Sequence, residues 1–159
     1  MPLQLSQKET MLLQDQKHHE EMCIQKYNKY ANEAQDPQLK QLFNSHAAVE
    51  QQHLNTISQI LSGQAPTMSQ QGQQQAGQTQ GWTANQPAAA RTAFNQNDAA
   101  LCNDLLTTEK YVSGTYDTVI FECTDSNVRQ ALNHVQKEEQ QHGESLFNYL
   151  KSHGMYNVQ

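Results

Sequence analysis

The tetrapeptide Glu-Gln-Gln-His occurs twice, at Glu50–His53 and at Glu139–His142, 89 residues apart. It is one point in a wider repeat. The same shift of 89 brings Glu20 onto Glu109, Tyr27 onto Tyr116, Asp36 onto Asp125, Leu39 onto Val128, Phe43 onto Leu132, Ile57 onto Leu146 and Leu61 onto Leu150, without a gap. A chain that repeats both its apolar spacing and the polar exceptions to it is expected to fold as two copies of one supersecondary unit. A Glu and a His three apart lie on one face of a helix. The apolar stripe runs through both pairs, which places them inside rather than on a Gln-rich surface.

Local signals define the unit. Ser6-Gln7-Lys8-Glu9 fits a capping box and opens a helix, with Leu13, Glu20, Cys23, Ile24, Tyr27, Ala31 and Ala34 at helical spacing. Asp36-Pro37 supplies an N-cap followed by proline at the first helical position, so a second helix starts at once. Its inner residues are Leu39, Leu42, Phe43, His46, Val49, Glu50, His53, Ile57, Ile60 and Leu61, and Gly63 is its C-terminal cap. So short a connection predicts an antiparallel hairpin over 6–62. A second hairpin is predicted over 98–153, with Asp98 as the cap of the third helix, the break repeated at Asp125-Ser126, and the stop near Gly154. The segment 63–97 between them has no hydrophobic period, and 8 of the 17 residues from Gln64 to Gln80 are Gln. It reads as a flexible linker, with Trp82 and Phe94 as anchors to the helices.

Two hairpins joined by a long polar connection predict an all-α, four-helix bundle with one long Gln-rich crossover, a single domain over 1–159. Folding each hairpin at its break brings Glu20 level with Glu50 and His53, and Glu109 level with Glu139 and His142. One Glu from each of two helices plus a Glu-x-x-His pair from each of two others is the ligand set of ferritin-like di-iron and di-manganese bundles. Four carboxylates buried without partners are strongly disfavoured, and two divalent cations balance their charge. Glu50 and Glu139 are expected to bridge two Fe or two Mn ions, with Glu20 and His53 completing one site and Glu109 and His142 the other; mixed carboxylate and imidazole ligation suits those metals. Tyr27 and Tyr116, two turns beyond their Glu on the same face, are candidates either for orienting ligands or for ordinary packing. Cys23, Cys102 and Cys123 read as buried structural thiols. His18, His19, His46, His134 and His153 read as solvated or packing residues, and Gly114 and Gly143 as marks of close helix approach or a local bulge. Asp15, Glu21 and Glu138 read as surface acids, although a slip of one residue would exchange Glu20 for Glu21 or Glu139 for Glu138.

Composition bounds the partners. A formal net charge of −6 without a basic stripe argues against nucleic acid. No stretch has the length and apolarity of a membrane span, and the first residues carry no apolar run, so no signal peptide is expected. Three cysteines are an odd number and do not form a disulfide framework.

The residues from Leu105-Leu106-Thr107-Thr108-Glu109-Lys110-Tyr111-Val112-Ser113 through Tyr116, Glu122-Cys123-Thr124-Asp125, Arg129, Glu139 and the tail Leu146-Phe147 to Gly154-Met155-Tyr156 resemble the Coat F family of bacterial spore-coat proteins, over roughly residues 98 to 158. Gln16-Lys17-His18 and Asp36-Pro37-Gln38-Leu39-Lys40-Gln41-Leu42-Phe43 resemble the ferritin-like N-terminal half of the same clostridial and bacillar proteins. The resemblance implies a protein made in the mother-cell cytoplasm of a sporulating cell and deposited on the spore coat, with other coat proteins or further copies of itself as partners. Members of the family differ in their glutamates and histidines, so the metal site rests on the ligand set of this chain. The alternatives to a structural coat role are a dimetal oxidoreductase acting on peroxide or oxygen, resembling rubrerythrin or manganese catalase, and metal sequestration.

Overall fold

The computed structural model describes residues 2–67 and 95–156. They form four helices, α1 (Gln7–Glu33), α2 (Pro37–Leu61), α3 (Gln96–Glu122) and α4 (Ser126–Ser152). Ser6 and Glu9 close the expected capping box. The Asp36 carboxylate accepts from the Gln38 N–H at 2.9 Å, with Pro37 opening α2 behind it. Asp125 repeats that cap, accepting from Asn127 and Val128. Gly63 takes φ +85°, the left-handed conformation that ends a helix at least cost in glycine.

The start of α3 differs from expectation. Its N-cap is Asn95, whose side chain accepts from the Asp98 N–H at 3.1 Å, so the second hairpin begins before residue 98. Asp98 does not cap its own helix. Its two oxygens accept the Gln35 and Asp36 backbone N–H groups, both at 2.9 Å, at the turn between α1 and α2. Glu9, its counterpart under the 89-residue shift, does the same to the other turn: Oε1 accepts from the Thr124 backbone N–H at 2.8 Å and Oε2 from the Ser6 N–H at 2.7 Å. Each hairpin thus holds the turn of the other through an acid in its first helical turn.

These clamps also give helix direction. Glu9 meets Thr124, Gln16 meets Thr115, Tyr27 meets Glu109 and Gln35 meets Asp98, so α1 and α3 run antiparallel. α2 and α4 are antiparallel too, since His53 meets Glu138 while Glu50 meets His142. The end of α2 lies beside the start of α1, where the Leu3 N–H donates to the Gly63 carbonyl. The start of α3 lies beside the end of α1, where Asn95 donates to Gln35. These two points sit at opposite ends of helices about 40 Å long. Residues 68–94, with most of the Gln-rich segment and both Trp82 and Phe94, lie outside the described residues.

The interior is divided in two. One apolar cluster, with Leu39, Phe43, Leu101, Leu105, Leu146, Tyr149 and Leu150, fills the end near the α1–α2 turn. A second, with Leu13, Ile57, Ile60, Val119, Val128, Leu132 and Val135, fills the other. Burying one large aliphatic or aromatic side chain is worth about 1.5–3 kcal/mol, so the two clusters can carry a costly polar layer between them. None of the described helices is long and apolar enough to cross a membrane.

Glu9 gives this architecture a pH dependence. Burial pushes its carboxyl up, but the Ser6 and Thr124 backbone N–H groups and hydroxyls outweigh it and hold the pKa below the ordinary 4.5. A carboxylate whose pKa is lowered by folding stabilises the fold above its unfolded value and loses that contribution as pH falls through the folded one. Glu9→Gln is expected to cost about 1 kcal/mol at pH 7. The gap from wild type, measured by urea unfolding, should close progressively below pH 4.5; a gap independent of pH would show that charge plays no part in the clamp.

Candidate metal centre

Between the two clusters all six side chains singled out by the repeat come together: Glu20, Glu50, His53, Glu109, Glu139 and His142, each at most 5% exposed. One ligand atom from each of Glu20, Glu50, His53 and Glu139 lies within 4.8 Å of the others, and Glu50, Glu109, Glu139 and His142 form a second such group. Glu50 and Glu139 belong to both. Glu50 accepts from both histidines, through Oε1 from His142 Nδ1 at 3.0 Å and through Oε2 from His53 Nδ1 at 3.1 Å. Glu139 also lies between them, 3.3 Å from His53 Nδ1 and 3.7 Å from His142 Nδ1. Glu20 and Glu109 each approach one histidine, at 3.6 Å and 3.4 Å. The arrangement follows from α1 and α2 supplying a Glu opposite a Glu-x-x-His, from α3 and α4 repeating it, and from the antiparallel packing that stacks the two sets.

Protons alone satisfy this cluster poorly. Burial pushes the Glu50 carboxyl up to about 7 even against the hydrogen bonds of both histidines. Burial and the neighbouring Glu139 charge raise Glu109 to about 8, and Glu139 is raised by burial and by the charges of Glu20 and Glu50. Burial pushes Glu20 up, but the close approach of the His53 imidazole outweighs it and the pKa is lowered. Both imidazoles are raised well above 6.5: burial opposes their charge, but hydrogen bonds to the surrounding carboxylates prevail. Even so, Glu20 Oε2, Glu109 Oε2 and both Glu139 oxygens are buried without a hydrogen-bond partner. Such atoms cost about 1–3 kcal/mol each. Ionised carboxylate oxygens only accept, so what they lack is a proton, taken up by the acids themselves as their raised pKa values allow, or a cation.

The tyrosines cross between hairpins. Tyr27 of α1 donates to Glu109 Oε1 of α3 at 2.5 Å, and Tyr116 of α3 donates to Glu20 Oε1 of α1. Each phenol therefore orients the glutamate of the other half. Burial, reinforced by the nearby carboxylates, raises both phenols well above 10, so they remain donors. His46 packs face to face on His142, ring centroids 4.0 Å apart, in the packing role expected of it. Its Nδ1 lies 3.2 Å from the Tyr27 oxygen. Since that hydroxyl proton is directed at Glu109, the Nδ1 carries the donated hydrogen. Burial and the His142 charge lower the His46 pKa well below 6.5, and the ring is neutral.

Glu138 is the residue that sequence reasoning misplaced. It is not a surface acid: its side chain is 24% exposed, and its Oε2 accepts from His53 Nε2 at 2.6 Å, while Oε1 lies 3.1 Å from His134. Holding the outer nitrogen keeps the His53 Nδ1 turned to the carboxylates, the usual way a ligand imidazole is fixed. The 89-residue shift puts Val49 opposite Glu138, so the repeat could not flag it. The signal that could have done so is His134, one turn before it on the same face. The three cysteines are free and buried, as expected. Neither glycine marks a close approach or a bulge: α3 and α4 run unbroken, a Cβ on Gly114 would meet nothing within 4 Å, and one on Gly143 would meet only Leu106 at 3.9 Å.

With this geometry in view, residues 97–159, which take in α3, α4 and their turn, match the Coat F domain. The chain is also 31% identical over 68 residues to the uncharacterized protein YusN of Bacillus subtilis (strain 168), in an alignment that takes in 43% of this chain and 62% of that one. It therefore spans somewhat less than two thirds of the curated relative it matches. No solved structure matches.

Proposed function

We propose that this chain is a spore-coat protein of Coat F type, folded over 1–159 as one ferritin-like domain whose midplane binds two Fe or two Mn ions. The Coat F match over the second hairpin supports the coat role, made in the mother-cell cytoplasm and assembled with other coat proteins or further copies of itself. The observation that carries the metal reading is the pair of ligand groups sharing Glu50 and Glu139, with four carboxylate oxygens left unpartnered among them. Glu20 and His53 would complete one site and Glu109 and His142 the other. Four carboxylates balance two divalent charges, and oxygen-rich ligation with one imidazole per ion suits Fe or Mn. A bound pair of such ions supplies Lewis-acid or redox chemistry toward peroxide or oxygen. The chain contributes rigid orientation: the tyrosines fix Glu20 and Glu109, Glu138 fixes His53, and the apolar clusters exclude water on both sides.

Protein purified from cells grown with Fe and Mn should carry about two metal ions per chain by elemental analysis; a stable but metal-free protein would refute the site. A fluorescently labelled copy in sporulating cells should ring the developing spore, and a diffuse cytoplasmic signal would refute the coat assignment. The tyrosines give a finer test. Tyr116→Phe removes the only donor to Glu20 Oε1 contributed by a tyrosine and should weaken metal retention about 10–100-fold in chelator competition, with unchanged helical content. Equal retention would assign the phenol to packing alone.

A further inference from the structure

The two halves of the metal centre differ in their walls. On the outer side of α3 and α4 lies a groove of about 510 Å³ whose residues include both Glu109 and Glu139. These two glutamates are almost fully buried and their unpartnered oxygens are closed to solvent, so the groove is backed by two of the candidate ligand residues and stops just short of their polar atoms. Its lining is mostly apolar, with Leu106 and Phe147, carries Lys110, Gln140 and Glu144 as polar members, and has only small residues at Ser113, Gly114 and Gly143. Both glycines are helical with ordinary backbone, and a methyl group fits at each. Glycine in a helix interior costs about 1 kcal/mol against alanine, and no turn or close approach here requires it. What the glycines supply is space. In the first hairpin the 89-residue shift places Ile24, Gln25 and Leu54 at the positions of Ser113, Gly114 and Gly143, so bulk stands there where the second hairpin has an opening.

We propose that the α3–α4 groove is the port by which exogenous ligands reach the dimetal site, entering at the Glu109–His142 half. This rests on the dimetal reading above. The ligand class is set by the walls and floor: a neutral or singly charged oxygen donor, from peroxide size up to a short-chain alcohol or carboxylate, its polar end at the metals and any apolar portion against Leu106 and Phe147. The two ions are then inequivalent, the one beside Glu109 and His142 open to ligand exchange, and the one beside Glu20 and His53 enclosed, with Glu138 locking its imidazole from outside.

The probe is azide, added to the ferric, metal-loaded protein and followed by the azide-to-iron absorption band, with metal per chain counted in every sample. In Gly114→Leu/Gly143→Leu, azide affinity or entry rate should fall about tenfold or more as the cavity fills, with metal content and melting temperature maintained. Gly114→Leu alone, whose added side chain starts in open space, should show the same trend and serves if the double variant loses metal. Gln25→Ala on the other hairpin should leave azide binding at the wild-type level. Unchanged azide binding in the loaded glycine variants would overturn the port and leave the dimetal site standing. A wild-type protein that takes up no metal would overturn both.

Discussion

A Glu50→Ala/Glu139→Ala variant is expected to lose both metal ions, whereas Glu139→Gln should make the metal-free protein more stable than wild type. The two outcomes have one cause. Glu50 and Glu139 are the carboxylates that both ligand groups share, so removing them takes two oxygen donors from each ion. Without metal the same carboxylates are a liability: both oxygens of Glu139 are buried and unpartnered, a cost of about 1–3 kcal/mol per group. An amide keeps the side-chain volume and can donate to Glu20 or Glu50 at any pH, whereas the carboxyl can donate only when protonated. Glu139→Gln should therefore raise the metal-free stability by about 1–3 kcal/mol. With saturating metal the order should reverse, because a ligand at a thousand times its Kd adds about 4 kcal/mol to whichever protein binds it. Thermal melts with and without Mn decide the matter. A Glu139→Gln protein less stable than wild type in both conditions would mean that Glu139 contributes to the apo fold itself and that the layer was not built for a cation.

The second large effect is expected at the α1–α2 turn. Asp98→Ala should destabilise the bundle by about 3 kcal/mol and lower its melting temperature by roughly 10 °C. The Asp98 carboxylate is 1% exposed and is the acceptor for two backbone N–H groups at the α1–α2 turn. Its removal takes the carboxylate acceptor from the Gln35 and Asp36 N–H groups. Hydrogen bonds to a charged group are worth about 1.5–3 kcal/mol each, and some hydration of the vacated site tempers their sum. Asp98→Asn keeps one acceptor oxygen and should lose about half as much by the same count. A loss under 1 kcal/mol for Asp98→Ala, on the scale of an ordinary surface change, would show that the turn is held by Asp36 and Pro37 alone.

Much of this was legible in the chain. Capping residues write their signal locally, so Ser6, Asp36, Asp125 and Gly63 end or begin helices where expected. The 3.6-residue period, read with the 89-residue shift, put six polar side chains on inner faces at one level, and they do meet. Asp98 was misread because it stands at a helix start where an acid commonly caps, and the competing cap, Asn95, sits in a segment with no apolar period to guide the eye. Glu138 reads as a surface acid, or by a slip of one residue as a substitute for Glu139, and its contact with His53 is neither, because it breaks the repeat. Gly114 and Gly143 suggest close helix approach or a bulge, and the structure shows neither, because spacing along one helix does not say what stands opposite it.

The duplicated Glu-x-x-His and its register thus determined the helices, their pairing into hairpins and the face on which each candidate ligand lies, because face and level along a helix depend only on spacing within that helix. What each side chain touches across an interface was decided by the tertiary structure. That Tyr27 serves Glu109 and Tyr116 serves Glu20, that Glu9 and Asp98 hold each other's turns, that Glu138 backs His53 and that a groove lies beside Glu109 and Glu139 all depend on how two hairpins rotate and pack against each other. Every buried side chain contributes to that packing at once, and no local pattern records it.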